Sequence, residues 1–145
     1  MKITILAAPK RFDGKTRIIQ DNAINSWIKL VGAENVCLFG DNETAGNSTR
    51  LGILYEKPET TETGLPLLSS ILKIARDRFI DGYVLYVNSD IILLSDFTRT
   101  VELLEKNFEK GFFLVGQRTN LDVDNPIDFS KPEVEDELRK MSLVN

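Results

Sequence analysis

No histidine occurs anywhere in this chain, and that absence removes a large share of enzyme chemistry. Histidine general bases, histidine zinc ligands and the usual Ser-His and Cys-His nucleophile systems are excluded. Cys37 is the single cysteine, so no internal disulfide can form. It lies in the apolar run Val36-Cys37-Leu38-Phe39, where a buried, inert thiol is expected rather than a nucleophile. No apolar run approaches the ~20 residues that cross a bilayer, and the N-terminus lacks a signal-peptide pattern. A cytoplasmic location without a transmembrane segment is therefore expected. Basic charge is also short: 18 Lys and Arg stand against 22 Asp and Glu, a net charge of −4. The basic residues are scattered, with Lys10, Arg11, Lys15 and Arg17 the only dense group. Nucleic acid, which calls for a basic face or stripe, is not an expected partner. What remains is chemistry by carboxylates, amides, hydroxyls, basic side chains or a carboxylate-bound metal.

The rest of the composition is that of a soluble globular protein, 42% hydrophobic and 28% charged over 145 residues. The length implies one domain, residues 1–145, with 130–145 as a charged C-terminal extension. Ile3-Thr4-Ile5-Leu6-Ala7-Ala8 is a continuous apolar run ended by Pro9, the pattern of a strand buried on both faces. Ile19, Ala23, Trp27 and Leu30 then mark one face of a helix. Residues 35–39 and 83–87 read as further strands, 51–55 as a short one, and 112–115 as another. Between them, 40–65 reads as irregular. Pro66 opens a helix with the stripe Leu68, Ile71, Leu72, Ala75 and Phe79, and Ser95 caps one bearing Phe97, Val101, Leu104 and Phe108. A short charged helix is expected near 133–141. Strands alternating with helices give an α/β fold, a three-layer αβα sandwich with a mainly parallel sheet.

In such a sheet, ligands bind just beyond the carboxyl ends of the strands. Three segments fall there. Tyr86-Val87-Asn88-Ser89-Asp90 carries one carboxylate out of an apolar strand. One carboxylate, with phosphate oxygens and water, is enough to hold Mg²⁺ or Mn²⁺ in phosphate chemistry. Asn88, where a second acid would add charge, should weaken metal binding without nucleotide. Ala8-Pro9-Lys10-Arg11-Phe12 offers small residues for close approach, cations for a diphosphate and a ring for stacking. Asp41, after the second strand, is placed to accept hydrogen bonds from a ribose or a base. Neither a Gly-x-x-x-x-Gly-Lys-Ser/Thr nor a Gly-x-Gly-x-x-Gly motif follows the first strand, which argues against P-loop hydrolases and dinucleotide oxidoreductases.

In order, Ala7-Ala8-Pro9-Lys10-Arg11-Phe12, Ile19-Gln20-Asp21-Asn22-Ala23-Ile24 with Trp27, Leu38-Phe39-Gly40-Asp41-Asn42-Glu43, Gly64-Leu65-Pro66-Leu67-Leu68, Tyr86-Val87-Asn88-Ser89-Asp90-Ile91-Ile92-Leu93 and Val115-Gly116-Gln117-Arg118 resemble GT-A-type glycosyltransferases, the nucleotide-diphospho-sugar transferase family. The resemblance spans about residues 1–130. It implies a Rossmann-like GT-A fold and a sugar nucleotide as donor. Asp90 would end an Asp-x-Asp-like motif that binds Mn²⁺ or Mg²⁺ and the diphosphate. Asp41 would contact the nucleoside, and Ala8, Pro9, Lys10, Arg11, Phe12, Asn88 and Ser89 would line the donor pocket. Members normally run longer, with a second half that binds the acceptor. The resemblance thus implies the donor-binding half, with a second copy or a partner domain completing the acceptor site. No catalytic residue is assigned; Asp122, Asp124 and Asp128 are candidates for an acceptor base by position only. A non-catalytic nucleotide- or sugar-nucleotide-binding module of the same fold is the alternative. A receiver-like signalling domain ranks below both, since Ala8-Pro9-Lys10 stands where its acid pair would be.

Overall fold

The computed structural model describes residues 1–143. Four strands, β1 (Ile3–Ala7), β2 (Val36–Phe39), β3 (Leu54–Glu56) and β4 (Tyr83–Tyr86), form one all-parallel sheet in the order β3-β2-β1-β4. The helices are α1 (Gly14–Val31), α2 (Asn42–Leu51), α3 (Leu68–Arg78), α4 (Ser95–Asn107) and α5 (Val134–Ser142). β1 and β2 are buried at every residue, which is why both read as unbroken apolar runs. Their alternation divides the core into two layers. Ile3, Ile5, Ala7, Val36 and Leu38 pack against Ala23, Ile24 and Trp27 of α1 and Val101 of α4. Leu6, Cys37 and Phe39 face the other way, onto Ile71, Ala75 and Phe79 of α3. The fold is therefore α/β, a parallel Rossmann-like sheet flanked by helices.

β4 is placed by a glycine. Gly82 has φ +97°, and a Cβ there would collide with the Lys2 carbonyl, which accepts the Tyr83 N–H at 2.9 Å. A residue in the left-handed region with backbone at van der Waals contact has to be glycine. The bond aligns Ile3 with Tyr83 and Ile5 with Leu85.

Four expectations are corrected. The segment 40–65 contains a ten-residue helix, α2, built from Asn, Thr, Gly and Ser. Local hydrogen bonding sustains it: Ser48 and Thr49 hydroxyls bond carbonyls one turn back, and Gly52 closes it in the left-handed conformation. Pro66 does not open α3; it forms a bridge with Thr60, and α3 starts at Leu68. Ser95 is the first residue of α4 rather than its cap, and its N–H and hydroxyl both donate to the Glu135 carboxylate of α5, at 2.8 and 2.7 Å. Residues 112–115 form no strand. Phe112 stacks on Tyr83 at 4.9 Å, but Phe113 is 93% exposed. Val84 and Tyr86 of β4 are exposed as well, at 41% and 40%, so a fifth strand beside β4 would extend a poorly covered face.

Cys37 behaves as its surroundings require. Burial pushes its thiol from 9.0 up to about 12, only partly offset by the Arg78 guanidinium. The fold thus favours the neutral thiol. Its contribution to stability is whole below the unfolded value of 9.0 and is lost as pH rises from there toward about 12. The native protein is expected to resist a thiol-specific disulfide reagent near neutral pH and to react at one equivalent once unfolded by urea. Fast stoichiometric labelling of the native chain would contradict this placement.

Candidate functional site

The chain leaves β1 toward β2 on one side and returns to β4 on the other, so the strand order reverses between β1 and β4. Reversals of this kind are where open α/β sheets bind ligands, outside the strands' carboxyl ends. The two segments that flank this one, its walls, are the 8–12 loop after β1 and the 88–90 turn after β4.

One side chain joins the walls. Gln20, on α1, is 1% exposed. Its Oε1 accepts the Lys10 N–H at 2.8 Å and the Ser89 hydroxyl at 2.7 Å, and its Nε2 donates to the Lys10 carbonyl at 3.0 Å. Beside its apolar core residues, the buried side of α1 carries three more side chains that bond the loops. Trp27 Nε1 donates to the Ile91 carbonyl at 2.8 Å, and Ser26 Oγ accepts the Leu93 N–H at 3.0 Å. Asn22 donates to the Asn125 carbonyl and accepts the Ile127 N–H. Gln20, Asn22, Ser26 and Trp27 therefore fix the loops, while Ala23 and Ile24 beside them fill the core.

Lys10 and Arg11 are exposed, and Ala8 and Pro9 half-buried, on the first wall. Phe12 is not an open stacking surface. It is 8% exposed and packs in the core, and the Arg50 guanidinium lies 5.7 Å over its ring. Arg50 is itself held by the Asp21 carboxylate in two bonds of 3.0 and 2.8 Å. The Phe12 N–H donates to Glu43 Oε1 at 2.9 Å, tying the loop to α2. Asp41 caps α2: its Oδ1 accepts the Glu43 and Thr44 N–H groups at 3.1 and 3.2 Å. The capping bonds engage that one oxygen, and the residue remains exposed.

On the second wall Asn88 is exposed, Ser89 is buried against Gln20, and Asp90 is exposed. The Asp90 carboxylate lies 4.0 Å from Arg118, a loose pair between two well-solvated side chains. Beyond Asp90 lies an open cleft of about 850 Å³, lined by Lys15, Asp90, Arg118, Asp122 and Asp124 among others. The 8–12 loop and Asp41 do not line it; of the residues expected at the donor pocket, Asp90 does. Lys15 Nζ pairs with Asp124 at 2.7 Å, and that hydrogen bond raises the Lys15 pKa. Asp128 lies apart from the cleft; Ser130 donates to it through both hydroxyl and N–H, which lowers its pKa.

Among the described residues, no group of three or more Asp, Glu, His or Cys gathers to hold a metal ion. On the 88–90 turn a cation would meet one carboxylate, Asp90, beside the Asn88 amide. That donor set fits a Mg²⁺ or Mn²⁺ ion arriving with phosphate oxygens and water, and no ion bound by protein alone. Periodicity missed Gln20, Glu43 and Arg50 as parts of this site. The Gln20 signal lay in its position on the inward side of α1, one residue after Ile19 and three before Ala23. No family model, curated protein or solved structure matches this chain.

Proposed function

We propose that this chain is the donor-binding half of a metal-dependent glycosyltransferase of the GT-A type, taking a nucleoside diphosphate sugar. The observation that carries the reading is the reversal of strand order between β1 and β4, with the Lys10 loop on one side of it, the Asp90 turn on the other and Gln20 joining them. The exposed Lys10 and Arg11 would meet the diphosphate, Asn88 would hydrogen-bond ribose or phosphate, and the free side of Asp41 would face the nucleoside. Asp90 would hold a Mn²⁺ or Mg²⁺ ion together with the diphosphate, neutralising charge on the leaving group. The cleft beyond Asp90 would take the sugar and the near side of the acceptor, with a partner domain or a second copy completing it. Asp122 is the remaining candidate base there, since Asp124 is committed to Lys15 and Asp128 lies apart. A cytoplasmic setting accords with the lone buried thiol.

The commitment of Asp124 favours a second reading, a module that binds the sugar nucleotide without transferring its sugar. Calorimetric titration with UDP, GDP and dTDP, each with Mn²⁺ and again with EDTA, tests both. The proposal expects one nucleotide to bind with Mn²⁺ and not with EDTA; binding of none would overturn it. Release of nucleoside diphosphate from the matching sugar nucleotide would then separate enzyme from module.

A further inference from the structure

We infer that Gln20 is the positioning residue of the crevice: its carboxamide sets the separation between the Lys10 loop and the 88–90 turn before any ligand arrives. Three observations carry this. The side chain is 1% exposed, yet all three of its bonds run to the two walls. Its two bonds to Lys10 use the N–H and the carbonyl of one residue, so they fix the orientation of that backbone as well as its distance. The third bond goes to Ser89, 69 residues away in sequence and the neighbour of both Asn88 and Asp90.

The chemistry explains why an amide is required. Lys10 presents a donor and an acceptor together, and the Ser89 hydroxyl brings a second donor. An amide, with its N–H₂ and one oxygen bearing two lone pairs, satisfies all of them without charge at any pH. A buried carboxylate would leave the Lys10 carbonyl facing an anion. An apolar side chain would leave the donors and the carbonyl unmet. No partner of the Gln20 amide titrates in the ordinary pH range, so the clamp itself is independent of pH. Its consequence for ligand affinity rests on the donor-binding reading above.

Amide hydrogen exchange on the ligand-free protein reads the clamp directly, at the Lys10 N–H and at the Ile91 N–H, which closes the turn onto the Asn88 carbonyl at 3.1 Å. In Gln20→Met, both protection factors are expected to fall at least ~10-fold, the loss of bonds worth about 1.4 kcal/mol. In Ser89→Ala, only the bridge is cut, so Ile91 should lose protection while Lys10 keeps it. That selective loss is a readout that mere volume would not move. Unchanged protection in Gln20→Met would overturn the proposal. Should Gln20→Met not fold, Ser89→Ala decides it, and unchanged Ile91 protection there would overturn the proposal. Titration of the same variants with Mn²⁺ and UDP, GDP or dTDP forms a separate arm. Failure of the parent to bind any of them would strike the donor reading and leave the exchange result to judge Gln20.

Discussion

Asp90→Ala is expected to abolish Mn²⁺-dependent nucleoside diphosphate binding while leaving the fold as stable as the parent. The two halves of that expectation have different physical grounds. Asp90 is the one carboxylate on the crevice wall, and the described residues supply no cluster that could replace it. Even outer-shell partners of a metal are worth 10–100-fold in affinity, so loss of the ligating group itself should cost ~100-fold or more. Stability should barely change. The side chain is solvated, and its ion partner is Arg118 at 4.0 Å. Exposed pairs of that kind contribute about 0–1 kcal/mol. The Asp90 variant should therefore melt within a few degrees of the parent yet show no heat of nucleotide binding. Unchanged affinity would remove Asp90 from the site.

Trp27→Ala should have the largest effect on stability, and it acts on the site through the same residue. Trp27 is fully buried between α1 and the sheet, and its Nε1 holds the Ile91 carbonyl. Truncating a buried aromatic costs about 3–5 kcal/mol, against a total stability of roughly 5–15 kcal/mol for a domain. The variant should melt at least ~6 °C lower, at about 2–4 °C per kcal/mol for a chain of this size. Trp27→Phe separates packing from hydrogen bonding. It keeps most of the buried area and loses the indole donor, so it should cost about 1–3 kcal/mol and loosen the turn at Ile91. Urea unfolding of both variants checks this. A Trp27→Ala protein as stable as the parent would mean that α1 does not dock as described.

The two central strands were legible because burial on both faces leaves a continuous apolar run, as in Ile3-Thr4-Ile5-Leu6-Ala7. The neighbouring ends of β1 and β4 were legible for a topological reason: alternating strands and helices in a parallel sheet bring them together where the strand order reverses. The residues that build the site were harder to read. Gln20, Asn22 and Ser26 are buried polar side chains, and a search for apolar periodicity scores such residues as solvent-facing. α2 was missed because its residues have poor intrinsic propensity, while its capping by Asp41 and Gly52 and its tie from Glu43 to the Phe12 backbone are specific contacts. Phe12 was misjudged in the opposite sense. An aromatic ring in a polar loop suggests an open surface, but here the loop folds back and the ring closes the core under Arg50. The strand expected at 112–115 failed because strand propensity needs a covered face, and Val84 and Tyr86 of the edge strand β4 are themselves exposed.

The central claim is a place: the crevice between the Lys10 loop and the Asp90 turn takes a nucleoside diphosphate with a divalent cation. Paramagnetic broadening of the amide resonances by Mn²⁺, with and without UDP, GDP or dTDP, locates the ion directly. Broadening should centre on residues 88–91 and reach the 8–12 loop, it should require nucleotide, and it should vanish in Asp90→Ala. Broadening centred elsewhere, or none with any of the three nucleotides, would contradict the claim.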